Sequence, residues 1–136
     1  MRLVFADTSY WIAFLNPRDE LHSRARDLSQ TLNGAMVVTS EMVLTELLND
    51  FASRGPRLRT FVCGAVEALR KDPTIQIVPQ TTAIFYRALL HYQRRPDKSW
   101  SLTDCASFLI MGSEGIEAAL TYDRHFEQAG FKAFLR

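Results

Sequence analysis

The sequence has few cysteines, no long apolar runs and almost no net charge. Its 136 residues include two cysteines, Cys63 and Cys105. Two are too few for a disulfide-stapled scaffold, and neither lies in a CxxC or Cys/His zinc spacing. No stretch approaches the roughly 18 apolar residues of a membrane span. The apolar start of the chain turns polar at Asp7, too early for a signal-peptide core. These absences lead to the expectation of a cytoplasmic protein with no membrane association. Lys plus Arg number 16 against 15 Asp plus Glu, a net charge of +1. Such a balance argues against coating nucleic acid by bulk charge, but it leaves room for a local basic groove. Repeats, linkers and low-complexity segments are also lacking, so residues 1–136 read as a single domain.

What is present is apolar residues, 47% of the chain, which excludes disorder. Short apolar runs at residues 3–6, 35–38, 75–78 and 118–122 read as buried strands, with a last strand near 132–135. Between them the spacing predicts helices from Thr8 and Ser9, which would cap the first, to Leu15, and then over 19–32, 41–52, 58–70, 82–93 and 102–111. A short helix is expected at 126–129. Strands alternating with helices indicate an α/β fold: three α/β/α layers with a mainly parallel central sheet.

In open parallel sheets, ligands bind at the carboxyl ends of the strands. Asp7 and Asp123 directly follow apolar strands. Either could simply cap a helix, but two at one rim weaken that reading. Glu46 lies beside the apolar stripe of its helix, with Asp50 one turn later as a competitor that periodicity cannot reject. Asp104 closes Ser101-Leu-Thr-Asp, a capping-box pattern. The helix after it is apolar almost all round and therefore buried. An acid at such a place needs a hydrogen bond, a cation or a metal. Four acids on one rim repel one another without a counterion, and hard oxygen donors suit Mg²⁺ or Mn²⁺. His22, His91 and His125 show no metal-ligand spacing and read as surface residues or neighbours of the site.

At this point the sequence resembles the PIN-domain nucleases, and among them the VapC-type toxins. The matching segments are residues 5–13 (FADTSYWIA), 39–48 (TSEMVLTELL), 101–107 (SLTDCAS) and 120–126 (LTYDRHF). The resemblance covers residues 2–135. It implies a PIN-like fold, with the family's four acids falling on Asp7, Glu46, Asp104 and Asp123; this selects Glu46 over Asp50. It also implies RNA cleavage with bound Mg²⁺ or Mn²⁺, an antitoxin partner, and a homodimer or a toxin–antitoxin hetero-oligomer. Thr8, Ser9 and Thr103 match small hydroxyl positions that support the acids.

The expectation is therefore a metal-dependent endoribonuclease, the toxin of a type II toxin–antitoxin pair. Its four carboxylates would hold the metal that activates a water against the phosphodiester. Arg57, Arg59, Arg94, Arg95, Lys98 and Arg124 are candidates for RNA contact. The helices over 19–32, 41–52 and 58–70 carry apolar candidates for a partner surface, such as Leu58, Phe61 and Val62. Rival readings are a catalytically silent metal- or RNA-binding module and a receiver-type signalling domain; a receiver carries an Asp at the end of its third strand, where this sequence has Pro79-Gln80. Setting the four site acids aside leaves 11 acidic against 16 basic residues, a balance of +5. Near-neutrality then hides an acidic pocket inside a basic protein, which removes the objection to an RNA substrate.

Overall fold

Short apolar runs at the start of the chain and after each helical crossover build one sheet. The computed structural model describes residues 2–136. The elements are β1 (Arg2–Ala6), α1 (Thr8–Leu15), α2 (His22–Gln30), β2 (Ala35–Ser40), α3 (Glu41–Phe51), α4 (Pro56–Lys71), β3 (Ile75–Val78), α5 (Thr82–Arg94), α6 (Leu102–Glu114), β4 (Ala118–Leu120), α7 (Arg124–Gln128) and β5 (Lys132–Ala133). The strand order is β3-β2-β1-β4-β5, and every pairing is parallel. The central strands are buried on both faces, as parallel sheets require. No helix among the described residues is long and apolar enough to cross a membrane.

This order places the topological switch point between β1 and β4. The chain leaves β1 toward β2 and β3 on one side and later returns to β4 and β5 on the other. Ligand sites form in the crevice at such a point. Ala6 pairs with Leu120, so the next residues, Asp7 and Thr121, emerge side by side. A receiver domain of the flavodoxin-like type has the order 2-1-3-4-5. The order seen here is different, and β3 lies at the sheet edge, which excludes that reading.

One apolar cluster runs through the sheet and both helical layers. Phe5, Leu47, Phe51, Met111, Leu120 and Phe126 are wholly buried in it. Helix α6 is buried over most of its length, from Thr103 to Phe108 and at Ile110 and Met111, as its all-round apolar sequence predicts. It ends at Gly115 in the left-handed conformation, φ 69°, where glycine carries no Cβ penalty.

Local chemistry moves several boundaries away from the periodicity. Thr8 and Ser9 do not cap α1. Asp7 takes the N-cap position, and the two hydroxyl residues lie in the first turn. Helix α2 starts at His22 rather than at 19, because Asp19 Oδ1 accepts the Leu21 N–H at 2.9 Å and holds the preceding turns. Helix α4 begins two residues early because Pro56 occupies N1, where its missing N–H costs nothing. Strand β4 ends at Leu120, since the Thr121 side chain turns to Asp7 and to the Asp123 N–H.

Candidate active site

Four carboxylates reach the crevice from four elements. Asp7 follows β1 and is 5% exposed. Its Oδ2 accepts the Thr121 hydroxyl at 2.9 Å and the Ser9 hydroxyl at 3.3 Å. Its side chain makes no helix-cap hydrogen bond to α1. Ser9 and Thr121 also touch at 3.1 Å, and Ser9 Oγ accepts the Tyr122 N–H. Three hydroxyl and amide contacts thus lock the carboxyl ends of β1 and β4 together.

Glu46 arrives from α3, whose start is fixed at the end of β2 by Ser40 accepting the Val43 N–H. Its Oε1 accepts the Thr8 hydroxyl at 2.6 Å. Adjacent residues of α1 therefore address different acids, Thr8 holding Glu46 and Ser9 holding Asp7. Asp50, the competitor on the same helix, instead pairs with Arg54 at 2.8 Å.

Asp104 occupies the third position of α6 in a complete capping box with Ser101. Its N–H donates to Ser101 Oγ, and its Oδ2 accepts the Ser101 N–H. The capping reading is therefore correct, and it coexists with a place in the pocket. Asp123 caps α7 by accepting the His125 N–H on Oδ1. His125 Nδ1 then lies 2.9 Å from Asp104 Oδ2 and 3.3 Å from Asp123 Oδ1. Ligand atoms of Asp104, Asp123 and His125 fall within 4.8 Å of one another.

The electrostatics record the same crowding. Burial pushes the Asp7 carboxyl up to about 7, and the charges of Asp104 and Glu46 add to it, against hydrogen bonding from the Thr8 backbone N–H and the Thr121 hydroxyl. Asp104 is also raised by burial, with Asp123 contributing, against hydrogen bonds from Ser101 and His125. An acid that resists ionisation at neutral pH beside further acids is a site that lacks positive charge. A divalent cation fits this donor set of carboxylate oxygens. Burial together with Asp104 pushes the Cys105 thiol up to about 11, which removes it as a nucleophile.

The remaining candidates are dispersed. Thr103 is buried in the first turn of α6, where its carbonyl accepts the Ser107 hydroxyl. Arg95 is committed within its own loop: it forms a bidentate pair with Asp97 and stacks 4.9 Å over Trp100. Arg59 donates to the Ala52 carbonyl. Arg57, Arg94 and Arg124 are exposed, and Lys98 is half-buried. His22 binds the Ala13 carbonyl, and His91 stacks on Trp100. Periodicity missed Thr121 and the contacts of His125. The signal for Thr121 was its position just beyond an apolar strand, two residues before an acid.

The sequence matches the PIN domain family over residues 4–132. VapC20 of Mycobacterium tuberculosis, a 23S rRNA-specific endonuclease, is 31% identical over 132 residues, 95% of each chain. The crystal structure of that protein, described as a Sarcin-Ricin loop cleaving toxin, superposes with a TM-score of 0.84 at 28% identity, covering 94% of this chain and 95% of that one. VapBC2 of Rickettsia felis, bound to a DNA fragment from its promoter, shares the fold at a TM-score of 0.67 and 11% identity over 96% of each chain. FitAcB of Neisseria gonorrhoeae does so at 0.64 and 18%, again over 96% of each. With its acids at the switch point of a parallel sheet and its whole length matched, the chain belongs to the PIN domain family, among the VapC-type nucleases.

Proposed function

We propose that the protein is a metal-dependent endoribonuclease, the toxin of a type II toxin–antitoxin pair, whose cofactor is Mg²⁺ or Mn²⁺. The observation that carries this reading is the meeting of Asp7, Glu46, Asp104 and Asp123 at the β1/β4 crevice, with Asp7 buried and raised to about 7. Asp7 and Asp104 are the main ligands, and Glu46 and Asp123 complete the pocket. The cation supplies positive charge that makes a water nucleophilic at neutral pH and offsets charge building on the phosphate.

The chain's own residues prepare that chemistry. Thr121 and Ser9 both engage Asp7 Oδ2, which leaves Oδ1 free of side-chain donors. Ser101 and His125 engage Asp104 Oδ2, which frees Oδ1 in the same way. Glu46, half-buried and restrained by Thr8, stands at the solvent side, where a water or a substrate hydroxyl can meet it. Lys98, Arg124, Arg57, Arg59 and Arg94 provide positive charge for the RNA backbone. The likeness to a 23S rRNA-specific endonuclease over 95% of the chain makes a structured ribosomal RNA loop the first substrate to assay.

The test is cleavage of ribosomal RNA with added Mg²⁺ or Mn²⁺ by wild type, Asp7→Asn and Asp104→Asn, with the new RNA ends sequenced. Discrete ends that vanish in both variants are expected. Undiminished cleavage by a folded variant overturns the site, and metal binding without turnover favours the silent-module alternative.

An antitoxin partner fits a cavity of about 590 Å³ at the amino-terminal ends of β2 and β3, lined by Tyr10, Trp11, Phe14, Leu32 and Leu69. Of the apolar residues expected to offer a partner surface, Phe61 is exposed at 49%, whereas Val62 is buried in the core. Co-purification with the product of an adjacent gene supports the pairing, and consistent isolation of the chain alone counts against it. Light scattering of the purified material separates a homodimer from a hetero-oligomer.

A further inference from the structure

Three features of His125 belong together. Its Nδ1 lies between two carboxylate oxygens, 2.9 Å from Asp104 Oδ2 and 3.3 Å from Asp123 Oδ1. The opposite ring nitrogen, Nε2, lies 3.3 Å from Ser99 Oγ in the α5–α6 loop. The backbone N–H of the same residue donates to Asp123 Oδ1. Carboxylate oxygens only accept, so the nitrogen between them carries its hydrogen and donates it. A nitrogen in that state has no lone pair to offer a metal. The ring therefore braces Asp104 Oδ2 beside Asp123 Oδ1 and leaves the other oxygen of each acid without a side-chain partner.

We infer that His125 is a positioning residue for the divalent-cation site: its Nδ1–H hydrogen-bonds Asp104 Oδ2 while the same nitrogen stands 3.3 Å from Asp123 Oδ1, so the ring's positive edge holds the two acids together, and Ser99 steadies the ring. The inference rests on the metal-dependent reading above. Asp104 and Asp123 come from different elements, α6 and the end of β4. Each has its own backbone cap, from Ser101 and from the His125 N–H. Those caps fix each acid to its own helix but not one acid to the other. The imidazole supplies the cross-tie. Without it, two acidic oxygens within 4.8 Å of each other repel and splay. Groups that orient metal ligands in this way cost about 10- to 100-fold in metal affinity when removed.

The side chains that replace His125 separate this role from others. Asparagine places an amide N–H near the position of Nδ1, glutamine reaches instead toward the position of Nε2, and phenylalanine keeps the ring shape with no donor. Mn²⁺ is titrated into the purified protein and its variants, and free ion is followed by electron paramagnetic resonance. Melting in chelator establishes that each variant is folded. His125→Phe and His125→Gln are expected to weaken Mn²⁺ binding about 10- to 100-fold. His125→Asn should stay within about threefold of wild type, since its amide restores a donor where Nδ1 stood. Pulsed resonance of the Mn²⁺-loaded wild type should show no directly bound imidazole nitrogen.

Equal or tighter binding by folded His125→Phe overturns the inference, because the ring then merely occupies the cation's place. A directly bound nitrogen overturns it in favour of ligation. If His125→Phe fails to fold, the comparison of Asn with Gln and the pulsed spectrum of wild type decide the question. Wild type that binds no Mn²⁺ overturns the metal reading itself and this inference with it. Wild-type binding with unaffected variants overturns the inference alone.

Discussion

Thr121 donates its hydroxyl to Asp7 Oδ2 at 2.9 Å across 114 positions of sequence. The Thr121 hydroxyl oxygen in turn accepts the Asp123 N–H at 2.9 Å. One buried hydroxyl thus orients the acid at the end of β1 and sets the turn that carries the acid beyond β4. The two carboxylates share a threonine because their strands are neighbours at the switch point.

Thr121→Val keeps the shape and removes both hydrogen bonds. A buried group left unpaired costs about 1–3 kcal/mol, and here a backbone N–H and a carboxylate oxygen are both affected. Chemical denaturation should show a loss in that range, with reduced RNA cleavage. Thr121→Ser restores the hydroxyl and should recover most of both. A valine variant with unchanged activity would show that Asp7 needs no orienting partner.

The sign of the pH dependence follows from Asp7. Its folded pKa, about 7, lies above the ordinary 3.8, so the unfolded chain releases this proton at lower pH than the fold does. Stability from this group is fully present below about pH 4, falls as pH rises, and is lost above about pH 7. Asp7→Asn removes that dependence. In chelator at pH 8 the variant should be more stable than wild type by about 1–3 kcal/mol, since each pH unit separating the folded from the unfolded pKa corresponds to about 1.4 kcal/mol and relaxation trims the total. At pH 5 the gap should shrink to roughly a third of its value at pH 8, reaching zero only below about pH 4. Paired urea melts at the two pH values check it, and a gap that widens at pH 5 contradicts the assignment.

Cation binding should reverse this penalty. A ligand that binds only the folded state stabilises it by about 2.7 kcal/mol at 100 times its dissociation constant. Thermal melting of wild type should therefore rise with Mg²⁺ or Mn²⁺ concentration, and chelator should remove the gain. Asp7→Asn and Asp104→Asn should each lose most of this response while remaining folded. A metal-induced rise of equal size in both variants would place the cation elsewhere.

The basic residues separate by their existing partners. Arg95 is held by Asp97 and Trp100, so Arg95→Ala should loosen the α5–α6 loop and leave the salt dependence of RNA binding unchanged. Lys98→Gln or Arg124→Gln should instead lower the salt slope by about one unit if each contacts a phosphate. Filter binding across a salt series distinguishes them, and a lowered slope for Arg95→Ala would free its guanidinium for RNA.

Much of the fold was legible because apolar runs and helical spacing are local. Strands β1 and β3 lie on their short apolar runs, which end at Asp7 and Pro79, whereas β2 continues past its run through Thr39 to Ser40. Boundaries slipped where a single side chain competed with periodicity, as Asp19 does before α2 and Pro56 at α4. The choice between Glu46 and Asp50 lay beyond helix arithmetic. Both face the same side within a turn; the family resemblance chose Glu46, and in the fold the Thr8 hydroxyl engages Glu46 while the Arg54 guanidinium engages Asp50.

By itself the sequence determined the alternating α/β pattern, the buried character of α6, and the acids that close apolar segments. Those follow from residue type and spacing along the chain. Only the tertiary structure decided that β1 and β4 are neighbours, that Thr121 and His125 bind the acids, and that Arg95 is already paired. Each of these is a contact between residues far apart in sequence or set by how a loop folds back. Spacing along the chain carries no record of which strand lies beside which, whereas packing and hydrogen bonding fix it.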